Sequence, residues 1–114
     1  MEPIVSTLLE EEPDLADLVE EFVAGLPQRL QFLKEVINKR DIDSLKAALH
    51  KLKGTSGNYG YPELFTLCQK MEFEVVTGNF ANLEEMASEL EMLIERIRLG
   101  TSPNIVKFGK RGSA

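Results

Sequence analysis

Apolar residues recur along most of the chain at intervals of three and four positions, and no stretch alternates as a half-buried strand would. This spacing places the apolar side chains on one face of a helix. We therefore predict an all-α protein. The apolar positions of the predicted helices are Leu15, Leu18, Val19, Phe22, Leu26, Leu30, Leu33, Ile37, Leu45, Leu49, Leu52, Leu64, Leu67, Met71, Val75, Leu83, Met86, Leu90, Leu93, Ile94 and Ile97.

The first part of the chain predicts a short leading helix and one long helix. Residues 4–11 carry apolar pairs at i, i+4 spacing, and Pro13 suits the first turn of the next helix, which extends towards residue 40. Gly25 and Pro27 interrupt its pattern, because proline lacks an amide donor and clashes with the preceding turn. We expect a kink there or a division into two helices.

Capping residues divide the rest of the chain into three further helices. Asp41 or Asp43 can cap the third helix, and Gly60 is placed to end it. Pro62 suits the first turn of the fourth helix, which stops near Gly78.

The last helix is predicted to begin at Asn82, because Glu85 follows at capping-box spacing, and to end at Gly100. Such short connections favour antiparallel neighbours. The predicted fold of residues 1–100 is an antiparallel four-helix bundle with a short additional N-terminal helix. Residues 101–114 are small, polar and basic without helical period, which predicts a flexible tail.

The length of 114 residues and the apolar content of 43% are typical of one globular domain. The chain has no apolar run long enough to span a membrane and no signal-like N-terminus, so we expect a cytoplasmic protein. The starting methionine favours a stand-alone protein. A single cysteine, Cys68, excludes an internal disulfide, and a single histidine argues against a Cys/His zinc site. We expect Cys68 to be buried and inert.

The net charge of −6 argues against nucleic acid and anionic membranes as partners. The charge is unevenly distributed: residues 1–21 carry eight acids and no base, whereas residues 28–53 carry seven bases and three acids. The histidine, His50, lies near the end of this basic stretch, which can also be an ordinary solvated face.

His50 points away from the predicted core. On a helical wheel of the third helix it lies about 140° from Leu45, the centre of the apolar stripe. Gly54 and Gly57 lie on the same outward side, and Lys46 and Lys53 lie along the shoulder beside the histidine at about 100° and 80°. Nothing in the packing of a helix requires this arrangement, which suggests a site built for access.

The two glycines need an explanation, because each costs roughly 1 kcal/mol in a helix relative to alanine. Gly54 lies one turn after His50, and helical side chains lean towards the N-terminus, so a bulky residue at 54 would lie across the imidazole. The alternative is a helix end that frays near Gly60, and this alternative is stronger for Gly57 than for Gly54.

A lone, exposed histidine beside a lysine suits nucleophilic chemistry. A catalytic triad or a metal site needs further partners, whereas a nucleophilic imidazole needs only its neutral form, access and a cation that steadies an incoming anion. Lys53, three residues after His50, can supply that cation, and a phosphoryl group fits as the anion. The alternative is a surface histidine without a role.

The stretch His50-Lys51-Leu52-Lys53-Gly54-Thr55-Ser56, followed by Gly60, resembles the signature of histidine-containing phosphotransfer (HPt) domains of phosphorelays. The resemblance extends from about Leu8 to Leu99. It implies a monomeric four-helix bundle that binds no nucleotide, accepts phosphate from a receiver-domain aspartate and passes it to another receiver.

The resemblance also implies roles for individual residues. His50 would be phosphorylated on Nε2, Lys53 would steady the phosphoryl oxygens, and Gly54 would provide access, with Gly57 in support. Glu72 occupies a position where related chemotaxis-kinase domains place a glutamate that hydrogen-bonds the imidazole, although it can equally be a solvated helix residue. A glutamine beside the histidine occurs in some members, but neither Gln28 nor Gln31 is assigned to that place.

The implied partners are receiver domains of a hybrid sensor kinase and a response regulator. The chain itself would bind no cofactor or metal, and Mg²⁺ would come with the receiver. Val5, Leu8 or Leu9 would contribute to docking, or would simply cover the end of the bundle. The alternative function is a helical adaptor that binds a signalling partner without carrying phosphate. An autonomous enzyme is not supported, since no nucleotide loop or catalytic acid pair is present.

Overall fold

The computed structural model describes residues 1–101, and all the regular secondary structure of this part is helical, which confirms the all-α prediction. The predicted tail lies outside the described residues, apart from Thr101. A single 3₁₀ turn, Pro13–Leu15, precedes the second helix. The α-helices are α1 (Leu8–Glu11), α2 (Ala16–Ala24), α3 (Leu26–Lys39), α4 (Ile42–Asn58), α5 (Pro62–Thr77) and α6 (Phe80–Gly100).

The helix predicted before residue 40 is divided in two at Gly25, between α2 and α3. Pro27 lies in the first turn of α3, where it cannot donate a backbone hydrogen bond to the preceding turn. The prediction of a kink or a break at this position is therefore confirmed. Of the two, the structure has the break.

The ends of α4 follow the predicted capping residues. The carboxylate of Asp41 accepts a hydrogen bond from the backbone amide of Ser44 at 3.3 Å, so Asp41 rather than Asp43 is the N-cap. The helix ends at Asn58, and Gly60 follows in the left-handed conformation with φ = 81°. Pro62 then opens α5 as predicted.

The predicted start of α6 at Asn82 is wrong. The helix begins at Phe80, because the side chain of Asn79 accepts a hydrogen bond from the Asn82 amide at 3.1 Å and so caps the helix three residues earlier. Burial of Phe80 against the core favours the earlier start.

The predicted leading helix is also shorter than expected. Residues 4–7 are not helical, because their polar groups bond to distant parts of the chain rather than to each other. The amide of Ile4 donates to the Arg96 carbonyl at 3.0 Å, and the amide of Thr7 donates to the Gly60 carbonyl at 2.9 Å. This segment thus ties the turn after α4 to the end of α6.

The longest helices pack in a closed sequence: α4 contacts α3 and α5, and α6 contacts α5 and α3. Their apolar faces form one core, in which nearly all the predicted positions are buried. Leu18 is an exception at 47% exposure, since α2 turns Val19, Phe22 and Val23 inwards instead.

Cys68 is buried in this core, as predicted. Burial raises the pKa of its thiol to about 12, so the nucleophilic thiolate is suppressed at neutral pH. No helix in the described part of the chain is long and apolar enough to cross a membrane.

Gly60→Ala is expected to lower the free energy of unfolding by about 3 kcal/mol. The left-handed conformation costs an alanine about 1–2 kcal/mol, and its Cβ would also collide with the Leu8 amide and the Ser6 hydroxyl. Gly78→Ala is the matched control, because Gly78 has φ = 78° but no atom within 4 Å of an added Cβ. Urea unfolding of both variants measures the difference, and equal losses would contradict a close contact with residues 6–8.

Candidate functional site

The outward face of α4 carries His50, whose side chain is 79% exposed. The opposite face is buried: Leu45, Leu49 and Leu52 have almost no accessible surface. The helical wheel therefore predicted the orientation of the histidine correctly, because α4 is regular from its cap at Asp41 to its end.

Glu72 of α5 joins His50 and Lys53. One carboxylate oxygen, Oε1, lies 2.7 Å from Lys53 Nζ, and the other, Oε2, lies 3.6 Å from His50 Nδ1. The first contact is an ion pair. The second is slightly longer than a hydrogen bond, so a small rotation of the imidazole would close it. The three side chains predicted from two separate helices are thus brought together.

Lys53 and Glu72 are largely covered, with side-chain exposures of 22% and 24%. The ammonium group of Lys53 also lies 5.9 Å from the centre of the Phe65 ring on α5. Lys53 therefore lies on the α5 side of His50, on the shoulder that the wheel predicted, and its charge is already paired with Glu72.

The two glycines of this face have different surroundings. An added Cβ at Gly54 would meet no atom within 4 Å, so the surface beside His50 is open there. An added Cβ at Gly57 would lie 3.4 Å from the Phe65 ring, which is ordinary packing distance. Gly57 lies within α4 rather than beyond its end, so the helix is not frayed at this position.

A shallow depression of about 380 Å³ opens beside the imidazole, lined by Lys46, Ala47, His50, Glu72 and Val76. The wheel placed Lys46 on the shoulder beside His50 without giving it a role, and Val76 was not predicted as part of the site. The sequence did carry a signal for Lys46, because it precedes His50 by four residues and so lies one helical turn away. Val76 gave no such signal, since its place depends on how α5 packs against α4.

On the other side of His50, a groove of about 630 Å³ runs between α3 and α4. Gln28 lines this groove whereas Gln31 and His50 do not, so neither glutamine is assigned to the histidine. Phe32 contributes an apolar wall and is 46% exposed. Arg29 donates a hydrogen bond to the Thr55 hydroxyl at 3.1 Å, which links the two helices.

The leading segment lies at the far end of α4 from the N-cap, beside Gly60. Val5 is 58% exposed, whereas Leu8 and Leu9 are half-buried and pack against the core. Leu8 and Leu9 therefore cover the end of the bundle, and a contribution of this segment to docking stays a prediction.

The geometry fits a nucleophilic imidazole. A carboxylate beside Nδ1 favours a proton on that nitrogen, which leaves the lone pair on Nε2, and the side chain stands in open solvent. Within residues 1–101 no group of three or more His, Cys, Asp or Glu side chains could hold a metal ion.

Comparison with known proteins yields one finding. The family model described as the Hpt domain matches residues 17–100, which is most of the chain. The match includes every residue of the His50 site and begins after the leading segment. No curated protein and no solved structure matches the chain.

Proposed function

The chain belongs to the Hpt domain family, and from that premise we propose that it is a phosphorelay intermediate that accepts a phosphoryl group on His50 from a receiver-domain aspartate and passes it to another receiver. Domains of this family serve histidine phosphotransfer in phosphorelays and are phosphoryl carriers rather than catalysts. The aspartyl donor, the second receiver and the roles of individual residues are the proposed part.

One observation carries the proposal: the exposed imidazole of His50 has a carboxylate 3.6 Å from Nδ1 and no side chain over its C-terminal side. Both features serve attack by Nε2. The carboxylate of Glu72 favours a proton on Nδ1, and the missing side chain of Gly54 lets the surface of a partner approach.

The transfer step balances without an added proton donor. The Nε2 lone pair attacks phosphorus in line, the N–P bond forms, the P–O bond to the aspartyl group breaks, and the carboxylate leaves with the electron pair. The imidazole becomes positively charged, and its Nδ1–H group turns towards Glu72. The ammonium group of Lys53 steadies the phosphoryl oxygens, and these oxygens compete with Glu72 for that group. Return of the phosphoryl group to another aspartate reverses these steps.

The proposal also includes the partners, the metal ion, the location and the oligomeric state of the protein. The partners are receiver domains of a hybrid sensor kinase and a response regulator, and the receiver brings the Mg²⁺ ion. The protein acts as a cytoplasmic monomer. Its helices α3 to α6, with α2 leading into α3, form an antiparallel four-helix bundle, which their closed packing sequence supports.

Glu72→Ala is expected to weaken the preference for a proton on Nδ1 and to slow phosphoryl acceptance on the order of tenfold, because the lone pair then spends less time on Nε2. Nitrogen chemical shifts of the His50 ring measure the tautomer directly. Glu74→Ala is the matched control, since Glu74 lies on the same helix but lines a different depression. An unchanged ring spectrum in the Glu72→Ala variant would leave Glu72 as a partner of Lys53 alone.

The experiment that tests the proposal uses a panel of phosphorylated receiver domains from the same organism. The protein is expected to acquire phosphate from at least one of them, with the acid lability of an N–P bond, and to pass it to a second receiver. Mass spectrometry under alkaline conditions should place the phosphate on His50. Stable binding of receivers without any phosphate transfer would instead favour the adaptor function.

A further inference from the structure

We propose that Lys46 is a second phosphoryl-binding residue of the His50 site and that its ammonium group meets the incoming phosphoryl group before Lys53 is released from Glu72. The inference deepens the proposed function and rests on it. It concerns a residue that lies outside the His50–Gly60 stretch on which the family resemblance was based.

The position of Lys46 on α4 supports this role. It precedes His50 by four residues, so the two Cβ atoms lie about 5–6 Å apart on one face of the helix. Helical side chains lean towards the N-terminus, and the imidazole therefore extends over the turn that carries Lys46. Both side chains line the same depression beside Glu72.

The charges at the site distinguish the two lysines. Lys53 is three-quarters covered and forms an ion pair of 2.7 Å with Glu72, so this pair has no net charge to offer an anion. Lys46 is exposed, and no ion pair or hydrogen bond joins it to another side chain within residues 1–101, including Asp43 one turn earlier. An approaching phosphoryl group therefore meets the positive charge of Lys46 uncompensated.

Lys51 is less suited to this role although it is adjacent to His50 in sequence. A residue one position further along a helix is rotated by about 100°, which turns Lys51 towards α3. It lines the groove with Arg29 and Phe32 rather than the depression with His50 and Glu72. Lys46 is thus the exposed lysine that shares the depression with the imidazole.

The test uses phosphoramidate as the phosphoryl donor, so that docking of a receiver does not enter. In this reaction the P–N bond of the donor breaks and ammonia leaves as the Nε2–P bond forms. The rate of His50 phosphorylation is measured for the wild type and for the Lys46→Gln, Lys46→Arg and Lys70→Gln variants. Lys70 is the matched control, because it is an exposed lysine of α5 that lines other depressions.

Lys46→Gln is expected to slow phosphorylation about tenfold at low salt, and less at high salt because free ions screen the lost charge. Lys46→Arg should stay within about threefold of the wild type, since it keeps the charge, and Lys70→Gln should match the wild type. A purely structural role of Lys46 would not produce this rescue or this salt dependence.

The outcomes distinguish a failure of the inference about Lys46 from a failure of the proposed function. If the wild type is phosphorylated and Lys46→Gln reacts at the same rate, the inference about Lys46 is overturned while the proposed function stands. An equal loss in the Lys46 and Lys70 glutamine variants would overturn it too, because the effect would then follow net charge alone. If His50 of the wild type accepts phosphate from neither phosphoramidate nor any receiver, the proposed function fails and the inference fails with it.

Discussion

A protein carrying His50→Gln is expected to accept no phosphoryl group, with a rate at least a thousandfold below that of the wild type and indistinguishable from background. Glutamine is polar and similar in reach, but its amide nitrogen has no lone pair available for attack on phosphorus. His50 is the single histidine of the sequence, so no second imidazole can take its place.

The same substitution is expected to leave the fold intact. The His50 side chain is 79% exposed, and substitutions at such positions usually change the free energy of unfolding by less than about 0.5 kcal/mol. Thermal unfolding of the variant controls for this, and acid-labile phosphate after incubation with a phosphorylated receiver is the readout. Phosphate on the His50→Gln variant would contradict the assignment of His50 as the phosphorylated residue.

Binding measurements on this variant separate the carrier from the adaptor. The surface around residue 50 includes the α3–α4 groove and the depression beside Val76, and neither depends on the imidazole for its shape. The His50→Gln variant should therefore still bind a receiver, with an affinity within a few-fold of the wild type. A carrier loses its function in this variant although binding persists, whereas an adaptor would keep both.

Features that depend on one helix were predictable from the sequence. The apolar period and the caps placed α4 correctly, and the wheel of a regular helix then determined which face His50 occupies. Gly54 followed from the same wheel. These predictions needed no knowledge of how helices pack against one another, because the period alone relates residues within a helix.

Features that depend on two helices were not predictable in the same way. The pairing of Lys53 with Glu72 requires the rotation of α5 about its own axis, which the apolar stripe restricts only to within a broad arc. The sequence therefore allowed Glu72 to be either a partner of the histidine or a solvated residue. The prediction of where α6 begins was wrong for a related reason. Asn79 and Asn82 are both good caps, and the burial of Phe80 favours Asn79.

Glycine is a poor helix former at any helical position, but the surroundings of Gly60 and Gly54 give these two glycines different roles. Gly60 is required by its left-handed backbone and by contact with the leading segment. Gly54 has neither reason: α4 is regular around it, and an added Cβ would meet nothing within 4 Å. Gly54 therefore lowers the stability of α4 without a structural return within residues 1–101, and we propose access to His50 as its reason.

Gly54→Ala is accordingly expected to raise the free energy of unfolding by about 1 kcal/mol, because alanine is the better helix former at an exposed position. Phosphoryl transfer from a receiver should fall at the same time. Gly54→Leu should lower it at least a hundredfold, since a leucine side chain would lean over the imidazole and hold the receiver surface away. Gly57→Ala probes the same exposed face two turns from His50, where the added Cβ would lie 3.4 Å from the Phe65 ring rather than in open space.

Comparing a receiver with phosphoramidate as donors reveals what the leucine blocks. If Gly54 serves the approach of a partner surface, the Gly54→Leu variant should lose at least a hundredfold with the receiver but less than about tenfold with the small donor, because the Nε2 atom itself stays reachable. Equal losses with both donors would mean that the side chain disturbs the imidazole and not the docking. Unchanged phosphoryl transfer from the receiver to the Gly54→Leu variant would show that Gly54 does not serve access. The loss of helix stability at Gly54 would then have no explanation.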